Sequence, residues 1–381
     1  MTVDASSILV LNSGSSSLKF ALFRPSGNDE VAVAEGAAHN VGRRNGRLRI
    51  QDSHGKVLAE QNRDMPTQAH ALDILARTLA DVGLGAPAAV GHRIVHGGPH
   101  LRTHQALTPR VLEQLRGAVH FAPLHIPVAL ELVERACARW PDAAQYACFD
   151  TAFHRTMPPR ASRLPIPARY ADAGMARYGF HGLSYESLVR RLGPDLPARA
   201  VFAHLGNGAS LCAVLNGESI DTSMGMTPAG GIPMGSRTGD LDPGVVLYLM
   251  RTEDLHADEL ETLLNRESGL AGIADGENDM QALLARCGAG DAHAALAVDI
   301  FATSVRKQIG AYAALMGGID LLVFTGGIGE HSAEVRRRIV SGLDFLGIGP
   351  AVPGPGVMVV PTEEERQMAR HCRALMQGEA T

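Results

Sequence analysis

Lysine is almost missing from this 381-residue chain. It occurs only at Lys19, Lys56 and Lys307 among 35 basic residues, so nearly all the positive charge is arginine. Cysteine is sparse and scattered: Cys137, Cys148, Cys212, Cys287 and Cys372 are odd in number and include no Cys-x-x-Cys. That excludes a disulfide scaffold and a zinc ribbon, and it fits a reducing compartment. A signal peptide's basic, apolar and small-residue succession is lacking at the N-terminus, which carries Asp4 instead. The long uncharged stretches, such as 345–362, are broken by Gly and Pro, so none reads as a membrane span. Net positive charge is lacking too. At −5 the chain does not suit a nucleic-acid binder that neutralises phosphates over a broad basic surface. Hydrophobic residues, by contrast, make up 45% against 20% charged, an ordinary balance for a folded soluble protein. At about 150 residues per domain the length allows two domains, and a cytoplasmic enzyme is expected.

Strand and helix signals alternate along the chain. Ile8–Leu11 enters a Gly/Ser turn at Asn12–Ser17 and leaves through Leu18–Phe23, the pattern of a hairpin. The same pattern recurs at Ala200–Ala203, His204–Ser210 and Leu211–Leu215, with Ser17-Leu18 matching Ser210-Leu211. One hairpin used twice suggests two domains of related topology. Between the hairpins, helices are predicted over Thr67–Asp81, from Thr108-Pro109, over Pro127–Arg139 and from Ser184, with strands at Ala88–Val95 and Gln145–Phe149. After a Gly/Pro-rich stretch from Met224 to Gly239, three helical segments are predicted, the last ending at Met316. They are followed by a strand at Leu321–Phe324, a helix at Ser332–Gly342, a strand at Val357–Val360 and a helix at Glu363–Met376. This alternation indicates α/β layers with largely parallel sheets.

Three glycine-rich turns follow apolar strands, at Asn12–Ser17, His204–Ser210 and Thr325–Gly329. Glycine lets successive amides approach an anion, so such turns can hold phosphate. The Walker sequence and Gly-x-Gly-x-x-Gly are both missing, which tells against a P-loop NTPase and a dinucleotide-binding fold. His92, His96, His100 and His104 recur every four residues, but Gly97-Gly98-Pro99 prevents the continuous helix that a shared metal would need. Neither His-Glu-x-x-His nor a nucleophile elbow is present. What remains is a set of polar residues in apolar or glycine-rich surroundings: Arg93, Asp150, His181, Arg237, Asp240, Asp242 and Glu364. Arginines in glycine-rich loops suit bidentate binding of carboxylate or phosphate, and a carboxylate at a strand's C-terminal end is where α/β proteins place chemistry. Taken singly, each could equally be a surface ion pair.

The accumulated segments are specific. Val10-Leu-Asn-Ser-Gly-Ser-Ser-Ser-Leu-Lys-Phe20, Gly91-His-Arg-Ile-Val-His-Gly-Gly98, Ala122-Pro-Leu-His125 and Phe149-Asp-Thr-Ala-Phe-His154 are followed by Tyr178-Gly-Phe-His-Gly182 and His204-Leu-Gly-Asn-Gly208. Met234-Gly-Ser-Arg-Thr-Gly-Asp-Leu-Asp-Pro243 and Phe324-Thr-Gly-Gly-Ile-Gly-Glu330 complete the series. In that order, and up to Pro361-Thr-Glu-Glu-Glu365, they resemble the acetate kinase family. The resemblance implies an α/β fold of two duplicated actin- or ribonuclease H-like domains, with mixed sheets flanked by helices and nucleotide in the interdomain cleft. It places the domains at 1–150 and 151–365, with a C-terminal helix at 366–381 packing back onto the first.

Such enzymes exchange the γ-phosphoryl of ATP with acetate, using Mg2+ (Mn2+ is an alternative ion). A carboxylic acid is already ionised at neutral pH, so no general base is needed, and catalysis must align two anions and neutralise the transferring group. The resemblance implies that Arg93 and Arg237 hold carboxylate and phosphoryl oxygens, that His181 donates to the phosphoryl group, and that Asp150 positions the metal or its water. It assigns Asn12 and Glu364 to the metal, an oxygen-donor pair that Mg2+ prefers. The methyl pocket falls on Val95, Leu124, Phe180 and Pro228. ATP falls on Lys19, on His204, Leu205, Gly206, Asn207 and Gly208, on Asp279, Met280 and Gln281, and on Gly327, Ile328, Gly329, Glu330 and His331. Partners implied are a short-chain carboxylate, ATP and ADP, and a second copy in a homodimer, without nucleic acid or membrane. Two other readings stand beside it: a propionate kinase of the same family, and an actin- or Hsp70-like ATPase module that leaves Arg93 and Arg237 unexplained. Four places depart from the family's pattern. His331 stands where Asn is usual, Gln281 where Arg is usual, Ala229-Gly230 where Leu-Glu is usual, and Ile126 where Asn is common. The loss of Arg at Gln281 suggests an altered nucleotide preference.

Overall fold

The computed structural model describes residues 3–14, 16–27, 29–348 and 356–379. The chain divides into two compact units, Met1–Ala152 with Glu363–Thr381, and Phe153–Thr362.

The first unit is built on an eight-stranded sheet. Its elements run β1 (Val3–Ser13), β2 (Ser17–Ser26), β3 (Asp29–His39), β4 (Arg47–Asp52), β5 (Val57–Asn62), α1 (Gln68–Asp81), β6 (Ala86–Ile94), β7 (Gln105–Ala106), α2 (Pro109–Gly117), α3 (Ile126–Arg139) and β8 (Ala144–Phe149). The strand order is β5-β4-β3-β2-β1-β6-β8-β7. Ile8 to Leu11 are all buried, because β1 lies inside the sheet with both faces covered, and such a strand reads as an unbroken apolar run. Thr67 and Thr108 cap α1 and α2 by accepting from His70 N and Val111 N, and Pro109 occupies the first turn of α2. The expectation of largely parallel sheets is corrected here: β1 to β5 pair antiparallel throughout, and only β1, β6 and β8 run parallel. Strands β3 to β5 lie outside the strands expected from the sequence. In β4, buried Leu48 and Ile50 alternate with exposed Arg47 and Arg49, a pattern too short and too charged to read in advance.

The second unit holds a five-stranded sheet. It opens with α4 (Pro159–Ser162), α5 (Ala168–Asp172) and α6 (Gly182–Leu192), then β9 (Arg199–Leu205), β10 (Ala209–Leu215) and β11 (Glu218–Thr222). There follow α7 (Pro243–Thr252), α8 (Ala257–Arg266), α9 (Gly269–Ile273), α10 (Met280–Gly288) and α11 (Ala292–Met316), five helices where three were expected. The breaks between them come at N-cap residues, His256, Ser268, Asp279 and Asp291, which the apolar spacing alone does not reveal. The unit closes with β12 (Leu321–Thr325), α12 (Gly326–His331), α13 (Ala333–Val340) and β13 (Gly356–Val359). Sheet order is β11-β10-β9-β12-β13, antiparallel from β9 to β11 and parallel for β9, β12 and β13. This repeats the β3-β2-β1-β6-β8 arrangement of the first unit, so the hairpin match falls on the corresponding strands β2 and β10.

The last helix, α14 (Glu364–Met376), belongs to the first unit and buries Gln367, Met368, Ala369 and Cys372 against its sheet. It lies so close to β6 that a Cβ on Gly91 would meet Cys372 Sγ at 2.6 Å. At its far end Arg370 donates to Asp29 Oδ1 at 2.9 Å, and Arg373 donates to Glu30 Oε1 at 3.0 Å and to the carbonyl of Gly27 at 2.8 Å. Among the described residues no helix is long and apolar enough to cross a membrane.

Candidate active site

In the first unit the polar residues gather at the C-terminal ends of the three parallel strands. Asn12 is the penultimate residue of β1, Arg93 the penultimate residue of β6, and Asp150 follows β8 directly, its amide bonded to the carbonyl of Ile94 at 3.0 Å. Strands β1, β6 and β8 are neighbours, so parallel pairing delivers these ends side by side. Arg93 Nε lies 3.0 Å from both Asp150 oxygens, its Nη2 donates to Asp150 Oδ2 at 2.5 Å, and its Nη1 donates to Asn12 Oδ1 at 3.1 Å. Asn12 Nδ2 in turn donates to Glu364 Oε2 at 3.2 Å and to Glu365 Oε1 at 2.9 Å. The start of α14 thus brings two carboxylates to one asparagine, and exposed Lys19 sits directly across β2 from Asn12.

Electrostatics within this cluster are mutually dependent. Burial works to lower the Arg93 pKa, but Asp150 and Glu364 outweigh it and raise it, so the guanidinium stays charged. Burial pushes the Glu364 carboxyl above its usual range. Arg93, Lys19 and the Asn12 hydrogen bond oppose the rise, while Glu365 adds to it. Several oxygen donors with one half-buried carboxylate held above its ordinary pKa form a set that a hard divalent cation would relieve, and the donors fit Mg2+. Glu365, given no role from the sequence although it adjoins Glu364, is therefore part of the cluster; Asn12 is what joins it to Arg93.

In the second unit a parallel set of ends carries His204, Leu205 and Thr325, with Thr325 paired to His204. The Gly206–Gly208 turn between β9 and β10 is closed by Gly206 N to Gly208 O at 3.0 Å, and the Gly206 Cα faces the amide of Gly327. Gly327 itself has open space beside its Cα. Glu330 turns inward, its Oε1 accepting from Gly326 N at 2.9 Å, from Thr325 Oγ1 at 3.3 Å and from Thr362 N at 3.4 Å. His331 is exposed at the end of α12. Of the three residues around α10, Asp279 caps the helix by accepting from Ala282 N, Met280 is buried in the core, and Gln281 is exposed.

His181 caps α6 with a left-handed backbone, φ 57°, a conformation uncommon for any residue but glycine. Its Nδ1 lies 2.9 Å from Ser210 Oγ, and its ring stacks on that of His204 at 4.2 Å between centroids. A Cβ placed on Gly208 would stand 3.3 Å from His181 Nε2 and 3.6 Å from Arg237 Nη1, so the two nitrogens converge on that glycine. Arg237 is carried by an irregular but heavily bonded loop: Met234 N bonds Arg237 O at 3.0 Å, Leu270 N bonds Met234 O at 2.9 Å, and Arg237 Nη1 donates to Pro228 O at 3.2 Å. Asp240 and Asp242 serve that region's backbone. Asp240 accepts from Gly231 N at 2.8 Å and Asp242 caps α7 through Gly244 N at 2.7 Å.

The structure distributes the apolar candidates between the units. Val95 (half-buried) and Leu124 (exposed) lie in the first, Phe180 (fully buried) and Pro228 in the second. The four recurring histidines do not converge. His92 Nε2 contacts Gln145 Oε1, His96 accepts from Gly98 N, and His104 accepts from Phe149 N, each fixing local backbone or a neighbouring strand.

The model of the Acetokinase family matches residues 7–351. An acetate kinase of Methylocella silvestris is 42% identical, over 97% of this chain and 98% of its own length. Among solved structures, a propionate kinase from Francisella tularensis superposes with a TM-score of 0.89 at 34% identity, covering 96% of this chain and 98% of that one. The acetate kinase of Porphyromonas gingivalis gives 0.85 at 34% identity, covering 98% and 100%. Family model, relatives and fold agree along nearly the whole sequence, and the chain belongs to the acetokinase family.

Proposed function

We propose that this protein is an acetate kinase, transferring the γ-phosphoryl group of ATP to acetate to give acetyl phosphate and ADP, reversibly and by direct in-line displacement. A carboxylate oxygen attacks phosphorus as the bond to the ADP oxygen breaks. The acceptor is already an anion, so no residue has to remove a proton. Residues must instead hold two like-charged partners and neutralise the group in transit. One observation carries the reading. His181 Nε2 and Arg237 Nη1 converge beside Gly208, two nitrogens aimed at one place. Arg237 supplies charge to the phosphoryl oxygens and His181 a directed N–H.

In the first unit Arg93 anchors the acceptor carboxylate. Asp150 has both oxygens engaged by Arg93, which also reaches Asn12 and through it Glu364 and Glu365. These oxygens would hold Mg2+, which when bound supplies compensating charge for the phosphates. Lys19 and the turns at His204–Gly208 and Gly327–His331 take the nucleotide phosphates, with Asp279, Met280 and Gln281 on the side of the base. A second copy in a homodimer and a cytoplasmic location belong to the same reading, supported by the family and by the scattered cysteines. Propionate is the second acceptor to weigh, because a solved propionate kinase is as similar as an acetate kinase. One methylene in an apolar pocket is worth only about 1–3 kcal/mol. Val95, Leu124, Phe180 and Pro228 are the residues assigned to that choice. The test is acyl phosphate formation, trapped as hydroxamate, from ATP, Mg2+ and each of acetate, propionate and butyrate. ATP turnover independent of carboxylate would refute the reading, and a higher kcat/KM with propionate would select the second acceptor.

A further inference from the structure

We infer that Ser210 and Tyr185 form a relay that fixes the tautomer of His181, so that Nε2 carries the proton and the ring acts as a neutral donor. The inference rests on the assignment of His181 as the phosphoryl donor. Three groups lie in a chain within the second unit. Tyr185 Oη is 2.5 Å from Ser210 Oγ, and Ser210 Oγ is 2.9 Å from His181 Nδ1. Tyr185 and Ser210 are fully buried, in the cores of α6 and β10, so their hydroxyls are held in place by packing. A hydroxyl gives one proton and can accept others, so the chain runs head to tail in one of two directions, while the arrangement in which Ser210 accepts from both neighbours sends its own proton outside the chain. In one, Tyr185 donates to Ser210, Ser210 donates to Nδ1, and Nδ1 is an acceptor, which leaves the ring proton on Nε2. In the other, Nδ1–H donates to Ser210 and Ser210 donates to the phenol.

Two features select the first. A phenol is a far more acidic donor than an aliphatic hydroxyl, so the tyrosine end drives the chain toward the imidazole. The side each nitrogen faces agrees with this: Nδ1 is turned to Ser210 and Nε2 to Gly208, where the proposed role of His181 requires a donor. The stack with His204, itself tied through Nδ1 to Ser184 Oγ at 2.9 Å, then fixes the plane of the ring. Ser210 and Tyr185 are accordingly positioning residues. They touch no substrate and act through the tautomer they impose.

The test is a two-bond proton–nitrogen correlation spectrum of the full-length protein labelled in its histidine rings, at neutral pH. The His181 signals are identified by their loss in His181→Gln. The wild-type spectrum should show the Nε2–H pattern, and Ser210→Ala should give a mixture of the two neutral tautomers. Tyr185→Phe, which removes one oxygen and keeps the packing, should shift the pattern the same way and lower kcat about tenfold, with KM for acetate little changed. An Nδ1–H or doubly protonated pattern in the wild type would overturn the inference, as would an unaltered Nε2–H pattern in both variants. If the wild-type pattern is as expected but His181→Gln keeps full activity, the donor role of His181 fails while the relay stands.

Discussion

Replacing Arg93 with alanine should damage stability and turnover by separable amounts. Its side chain is 17% exposed and that of Asp150 only 1%, and every hydrogen bond named for Arg93 above goes to Asp150 or Asn12. Removing one partner of such a pair leaves an uncompensated buried charge and costs about 3–5 kcal/mol. Removing both partners, in Arg93→Ala with Asp150→Ala, should recover much of that loss, since the isolated carboxylate is then gone. Hydrogen exchange at the amides of β6 and β8 reads the first unit alone and supplies the double-mutant cycle. Turnover behaves differently. Loss of the carboxylate anchor should lower kcat/KM for acetate by on the order of 10³ in Arg93→Ala, and the double variant should not regain it. A single variant that loses less than about 1 kcal/mol would contradict the buried pair. Activity restored in the double variant would show that Arg93 serves only to neutralise Asp150.

Three further outcomes follow from the same structure. His92 is buried and neutral, its pKa lowered from 6.5 to about 4 by burial, which the Gln145 contact only partly opposes. The unfolded chain therefore binds the proton more readily. About 3 kcal/mol of stability is present above pH 6.5 and lost as pH falls toward 4, and in His92→Gln an acid titration followed by circular dichroism should show that part of the loss removed. Glu364→Gln should raise the Mg2+ concentration needed for half-maximal rate severalfold or more, measured by metal titration in the hydroxamate assay, and an unchanged requirement would take Glu364 out of the metal's donor set. Gln281→Arg should lower KM for ATP severalfold relative to GTP if this exposed position contributes to the base side, and equal KM values in both proteins would refute that.

How much could be read in advance varied with the physics of each segment. Apolar runs such as Ile8–Leu11 and Leu321–Phe324 announced central strands because burial on both faces demands them. The Thr67 and Thr108 caps marked helix starts because their hydroxyls replace missing backbone partners. Strand β4 stayed hidden because its two buried residues, Leu48 and Ile50, alternate with exposed arginines over only six positions. At the site, Arg93, Asp150, His181 and Arg237 stood out as polar residues in apolar or glycine-rich segments. Glu365, Ser210 and Tyr185 did not, because a third glutamate in a row and a serine and tyrosine in regular elements carry no local signal. Their meaning lies in distances across 353, 29 and 25 residues of chain.

The position of α14 bears on how the molecule is made. Sheet strands β1, β6 and β8 leave the ribosome early, yet the helix that covers Gly91 and delivers Glu364 is synthesised only after all of residues 153–362. Nascent chains fold domain by domain from the N-terminus, and here the earlier unit must wait with an apolar face open while the later one is completed. The Arg370–Asp29 and Arg373–Glu30 ion pairs then act as a closing clasp, so the carboxylates of Glu364 and Glu365 reach Asn12 only once the closing helix has been translated.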